Sequence, residues 1–358
     1  MSDPAKTESP NWALYPVGEI QPACQLTRIR FSPCGRVLLG AGFDPQVMRW
    51  GFEGDTEAPP ERKSVSGHQG WVTTVDFVAD RGWAVTADSW GQLRVWPYLE
   101  DDPKSIWQKA DAHDGWIRDL AVSPDGRWIV TCGRDQRVRR FATEDGRLLS
   151  EWSGHEEDIF SVAIHPSGEQ LVSGDLKGRI IQWDVKSGKQ IREFDASELY
   201  TYDRIQDVGG VRRLVFDASG ETLAVAGADP DTGNFVKGTA RIKIFDWASG
   251  ELKHNQLIGE NNKDVFAHDL LFHPGGFLIL VTSGQPGSGR IFLHRPGEEK
   301  PFLTYHKGLT NCHSVAMHPN GRIAVASTSK GSNGNGRQLK DGIYVGNHSP
   351  VYLFDLYA

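Results

Sequence analysis

Twelve histidines stand in this 358-residue chain, and histidine is the side chain whose ordinary pKa suits acid–base and metal chemistry near neutral pH. His165, His273 and His318 open turns that run on to a glycine, and are read as turn residues. His268 and His313 each sit two residues into a strand-like run. If neighbouring segments bring these two together they could begin a metal site, but no spacing supplies a third ligand. Asp229-Pro230-Asp231-Thr232-Gly233-Asn234 is oxygen-rich like a calcium loop, yet lacks the terminal bidentate Glu, and is read as a solvated loop. Lys330–Gly336 (KGSNGNG) is glycine-rich but matches no phosphate-binding loop and opens no helix. Gly-x-Ser-x-Gly is absent, so a hydrolase nucleophile elbow has no support. The residue types of catalysis are present, but no spacing singles out a constellation. The expectation is no catalytic residue, no cofactor and no metal.

Bulk chemistry narrows the partners. Net charge is −7, which argues against a nucleic-acid partner held by positive charge. Cys24, Cys34, Cys132 and Cys312 lie far apart, form no CxxC pair, and read as reduced thiols. The first residues are polar with no apolar stretch of a signal sequence, and no run reaches the ~18 apolar residues of a membrane span. The expected setting is cytoplasmic, with no membrane partner. Residues 1–10 are read as a flexible tail.

The elements that position these residues recur. Gly154–Asp184 holds a Gly-His pair, a strand-like run, the turn His165-Pro166-Ser167-Gly168, a second run, and a third ending in Trp183-Asp184. Equivalent turns are Ser32–Gly35, Ala79–Gly82, Ser123–Gly126, Asp217–Gly220, His273–Gly276 and His318–Gly321. Successive turn glycines stand from 42 (Gly126 to Gly168) to 56 residues (Gly220 to Gly276) apart. Proline early in such a turn presets φ, and the closing glycine accepts positive φ. Strand-like runs flank every turn. A third run ends at Trp50, Trp96, Phe141, Trp183, Phe245, Leu293 or Phe354, and a fourth follows in most segments. The last segment has no room for a fourth strand, and residues 14–20 precede the first segment where one is missing. The N-terminal strand is therefore predicted to complete the last sheet and close a ring, since an open edge invites aggregation.

The order Gly154-His155, Pro166-x-Gly168, Trp183-Asp184 closely resembles the WD40 repeat. The resemblance covers nearly the whole chain after about Asn11, strongest in repeats two to four. It implies an all-β, seven-bladed propeller over residues 11–358, with blades at approximately 21–66, 67–111, 112–153, 154–195, 205–258, 262–306 and 307–357. Inserts at Ala228–Gly238, Gln285–Gly289 and Lys330–Ser349 fall between second and third strands, which the resemblance places on the top face. Repeats of this kind hold a buried His–Ser/Thr–Asp–Trp network, in which His68, His113 and His155 take the histidine place. By sequence the network looks incomplete everywhere. Phe141 replaces Trp in the third repeat, Lys177 stands at the Asp position of the fourth, and Trp90 at that of the second. The first repeat has Asp44 and Trp50 but no Gly-His.

Counting back from the turn glycines, or on from His68 in the second repeat, gives a ring of top-face positions, which the resemblance makes the usual partner-binding surface. It presents Trp71, Trp116, Asp158 and Phe266, and two residues further on Arg118, Phe160, Arg212, His268 and His313. Phe43, Trp90 and Arg134 lie near the same face. Aromatic residues and arginine dominate interface hot spots. The expected function is a non-enzymatic scaffold, a monomer or a subunit of a hetero-complex, holding a protein or peptide on these residues. The alternative is an enzyme or a small-molecule- or metal-binding propeller working in the axial funnel near His268 and His313.

Overall fold

Every repeat folds into four antiparallel strands, of which the outermost is the most exposed. In the fourth repeat the inner strands Ile159–Ile164 and Gln170–Asp175 are almost wholly buried, while the outermost, Gln190–Asp195, leaves most of its side chains exposed. A strand buried on both faces must be flanked by other sheets, and β-branched and small residues fill that space. The structure, a computed structural model, describes residues 11–53, 56–203, 205–231, 237–284, 287–328, 338–340, 343–345 and 349–358; the expected tail at 1–10 lies outside them. Among the described residues these strands form seven four-stranded sheets, the blades of a propeller.

The hydrophobic core is divided. Each of seven apolar clusters is shared by two adjacent blades, for example Leu26, Ile29, Leu38 and Trp50 of blade 1 with Ala324, Ala326 and Leu353 of blade 7. No blade owns a core, so every blade's stability depends on its two neighbours.

The N-terminal strand Ala13–Ile20 pairs antiparallel with Val351–Tyr357, giving the last blade the order N-terminal strand, Val351–Tyr357, Ile323–Ser327, Cys312–Met317. The expected closure is what the structure contains. The blade 5 insert differs from a loop: pairing between Thr222–Asp231 and Lys237–Asp246 continues out to Asp231 opposite Lys237, so it is a hairpin extension. Asp229 there bonds Arg241 at 2.8 Å. Two short hairpins stand apart from the blades, Tyr200–Asp203 with Gln206–Gly209, and Gln338–Lys340 with Ile343–Val345. Most of the Lys330–Ser349 insert and the start of Gln285–Gly289 lie outside the described residues. No helix among the described residues is long and apolar enough to cross a membrane.

The buried networks correct the sequence reading. In blade 2, His68 Nδ1 bonds Asp88 at 2.9 Å, its Nε2 bonds Thr86 Oγ1 at 2.7 Å, and Trp96 Nε1 donates to that hydroxyl at 3.2 Å. In blade 4, His155 bonds Asp175 at 2.8 Å and Ser173 at 2.7 Å, and Trp183 Nε1 donates to Ser173 at 2.8 Å. Both blades are complete. Trp90 and Lys177 are not at the Asp position: the aspartate ends the second strand, two residues past the hydroxyl residue. Only in blade 3 does it sit in the turn, where Asp135 reaches His113 at 2.8 Å. Two backbone positions can deliver one carboxylate to the same imidazole, so counting from blade 3 misplaced the others. Asp175→Ala should cost about 1–3 kcal/mol in chemical denaturation, because it strands His155 and two turn amides in a buried site.

Two of the turn histidines also do more than turn. His165 Nε2 donates to the Gly220 carbonyl at 3.0 Å, and His318 Nε2 to that of Gly35 at 2.9 Å, each latching one blade's turn to the next. At Gly220 and Gly35 a Cβ would lie 2.4 and 2.5 Å from those imidazoles, and φ is positive, so the latch requires glycine. His273 makes no such latch; it stacks on Phe277 with centroids 4.3 Å apart.

Candidate partner-binding funnel

The first strand of each blade lies nearest the axis, so its leading residues ring the mouth of the central channel. The turn between second and third strands lies roughly 5–10 Å further out, one or two strand spacings away. This geometry sorts the residues named from sequence. Phe43, Trp71, Trp116, Arg118, Phe160, Arg212, His268 and His313 line one funnel of about 370 Å³. Asp158 and Phe266 do not line it but touch residues that do, Asp158 through Arg118 and Phe266 through Arg212 and His268. Trp90, 66% exposed, and Arg134, also exposed, sit on the outer turns and do not line it. Phe43 comes from such a turn too, but leans inward onto Trp71.

The wall is a continuous belt. Phe43 meets Trp71 edge-on at 5.0 Å between centroids, and Trp71 meets Trp116 edge-on at 5.9 Å. The Arg118 guanidinium lies 4.4 Å from the Trp116 ring and 5.0 Å from Phe160. Arg212 lies 5.0 Å from Phe160 and 5.4 Å from Phe266. Phe266 then contacts His268 at 5.5 Å, and His268 contacts His313 at 4.8 Å. Guanidinium–ring contacts of this length are attractive and hold both partners in place. Trp71 and Phe43 remain 46% and 44% exposed, so their apolar surface faces the opening.

The charges in the belt are treated unequally. Arg118 bonds Asp158 at 3.2 Å. Arg212 has no carboxylate or other hydrogen-bond acceptor for its guanidinium among the described residues, and its Nε is buried. Burial, with repulsion from Arg118 second, pushes its pKa down to about 10, which still leaves it charged at neutral pH. Burial also drives His313 down to about 4, and holds His268 well below its ordinary value, with His313 and Arg212 adding to the effect. Both imidazoles are therefore neutral at pH 7. His268 Nε2 bonds Ser283 Oγ at 2.7 Å, while His313 Nε2 has no partner. The two rings meet, but among the described residues no group of three or more His, Cys, Asp or Glu is placed to hold a metal.

Beneath the funnel lies a feature the sequence reading missed. Seven residues before the turn glycine, the inner strands present Arg28, Asp119, Ser161, Arg213, Asp269 and Ser314, with Thr74 in blade 2. These meet on the axis. Arg28 and Arg213 bond Asp119 at 3.3 and 3.1 Å, Arg30 bonds Asp269 at 3.0 Å, and Arg213 lies in ion-pair range of Asp269 at 3.3 Å. Ser161 and Ser314 donate to the same two aspartates at 3.0 and 2.7 Å. Thr74 donates to Asp119 at 3.4 Å, so one cluster ties all seven blades across the channel. Charged residues of opposite sign at one inward position of separate repeats were the available signal.

Comparison with known proteins agrees with the repeat pattern read in the second to fourth segments. The family model described as "WD domain, G-beta repeat" matches residues 60–97, 105–141 and 146–184. The chain is 28% identical to the methylosome protein WDR77 of Xenopus laevis over 49% of its own length and 55% of that protein. It is 27% identical to the guanine nucleotide-binding protein subunit beta of Zea mays, over 75% of this chain and 69% of that one. It is 27% identical to periodic tryptophan protein 2 of Arabidopsis thaliana, over 86% of this chain but 35% of that protein. The matches thus span from about a third to two thirds of these relatives' lengths. The matched repeats are those whose His–Asp networks the structure completes or nearly completes, and the remaining blades repeat their four-strand order around the ring: the chain carries WD40 repeats in the three matched places and folds as a seven-bladed β-propeller.

Proposed function

We propose that this protein is a non-enzymatic scaffold that holds a segment of a protein partner in the top funnel. The observation that carries the reading is the belt from Phe43 to His313, with Trp71 and Phe43 nearly half exposed at the mouth. Large apolar groups held rigid and facing water lose no order on binding and gain by being covered. At ~25 cal/mol per Å2, covering roughly 100 Å2 of one tryptophan contributes about 2.5 kcal/mol. The names of several relatives are those of complex subunits, such as the target of rapamycin complex subunit wat1, which fits a scaffold.

Trp71→Ala combined with Trp116→Ala should abolish partner capture. Each substitution is expected to weaken binding by about 30-fold, the effect of an aromatic hot spot. Melting should shift by only a few degrees, because the rings sit at the mouth and not between blades. Affinity purification with both proteins side by side, followed by mass spectrometry, checks it. Retention of the same partners by the double variant would sink the proposal.

A further inference from the structure

Every other guanidinium on the axis has a carboxylate: Arg118 has Asp158, Arg28 and Arg213 have Asp119, and Arg30 has Asp269. Among the described residues Arg212 alone of these has none, although it lines the same funnel. Its flanks are taken by Phe160 and Phe266, at 5.0 and 5.4 Å, which leaves its N–H donors for anything entering from the mouth. Arg118 Nε and His313 Nε2 are further buried polar atoms on this wall without a partner among the described residues. A shielded, unpaired cation is costly, and a native site keeps one where a ligand supplies the counter-charge.

Resting on the reading of the funnel as a partner site, we infer that the bound segment carries an acidic side chain, and that Arg212 pairs with its carboxylate. The charge count selects a carboxylate. The funnel offers one unneutralised guanidinium beside an Arg118 already balanced by Asp158 and two neutral imidazoles. A single carboxylate fits one guanidinium as a two-bond fork, whereas a phosphate dianion calls for more than one free cation. Residues flanking the acidic one would cover Trp71 and Phe43 at the mouth.

The test uses the full chain and a display library of random heptapeptides, selected in parallel on the wild type, Arg212→Gln and Trp71→Ala. Peptides selected on the wild type should be enriched in Asp and Glu on the order of tenfold over the input. Synthetic peptides from that set should lose at least tenfold in affinity when the acid is changed to its amide. Arg212→Gln should select without acidic enrichment and bind acid and amide forms equally, while melting like the wild type. Wild-type selection without acidic enrichment, enrichment for phosphoserine over glutamate in a matched synthetic set, or enrichment that survives Arg212→Gln would overturn this inference and leave the funnel reading standing. Selection that is indifferent to Trp71→Ala would overturn both.

Discussion

Deleting residues 1–20 should lower the melting temperature by five degrees or more and make the protein self-associate more strongly than the full chain does. The strand Ala13–Ile20 pairs with Val351–Tyr357 at seven positions and supplies the outer edge of blade 7. Leu14 and Ile20 are 8% and 6% exposed, and Trp12 meets Phe277 edge-on at 5.0 Å. Burial of three such side chains contributes about 1.5–3 kcal/mol each, against a total stability of roughly 5–15 kcal/mol for a folded domain. The loss does not stay local. Blade 7 shares apolar clusters with blades 6 and 1, and Arg322 on it bonds Asp355 at 2.7 Å next to the closing strand. Without the N-terminal strand, Val351–Tyr357 becomes an exposed edge with unpaired amides and carbonyls, a template for pairing with another chain. Thermal melting and size-exclusion chromatography check the result. A truncated protein with the melting temperature and elution of the full chain would show that the ring is held shut by other contacts.

Asp269→Ala should destabilise the protein by about 3–5 kcal/mol, the usual consequence of removing one partner from a buried ion cluster. Asp269 is 1% exposed. It accepts hydrogen bonds from Arg30 at 3.0 Å, Ser314 Oγ at 2.7 Å and the Val315 amide at 3.2 Å, and the Arg213 guanidinium lies in ion-pair range at 3.3 Å. The substitution leaves guanidiniums from blades 1 and 5 facing each other in a largely buried channel. Urea unfolding of the variant and of Asp269→Asn measures the effect, and a loss below 1 kcal/mol in both would show that water fills in for the carboxylate. A pH dependence accompanies it. Burial alone would raise the Asp269 pKa, but Arg30, Arg213 and Arg28 outweigh it and hold the carboxyl well below its ordinary value. The unfolded chain therefore takes up this proton before the folded one does. The stabilisation is present above about pH 4, the ordinary carboxylate value, and is lost as pH falls below it. In Asp269→Asn the acid limb of the stability profile should flatten accordingly.

What the sequence made legible follows from how local each signal is. The turn glycines and the aromatic ends of the third strands are set by neighbours a few residues away, and they carried the blade count. Counting from those turns also located most of the funnel, since Arg118, Phe160, Arg212, His268 and His313 share one register. It failed where side chains reach different distances. Trp90 and Arg134 share the top face but stand too far from the axis, and Asp88 and Asp175 reach their histidines from a different register than Asp135 does.

By itself the sequence determined a ring of seven like sheets, its closure by residues 14–20, and the aromatic and arginine character of one face. These rest on strand periodicity and turn chemistry, which any short stretch carries alone. Tertiary structure decided which charges meet. Arg28 finds Asp119, and Arg30 finds Asp269, only because closing the circle brings the inner strands of different blades to one axis. The same convergence leaves Arg212 stacked between two rings without a counter-charge, because pairing across the channel depends on direction and reach that no count along the chain contains.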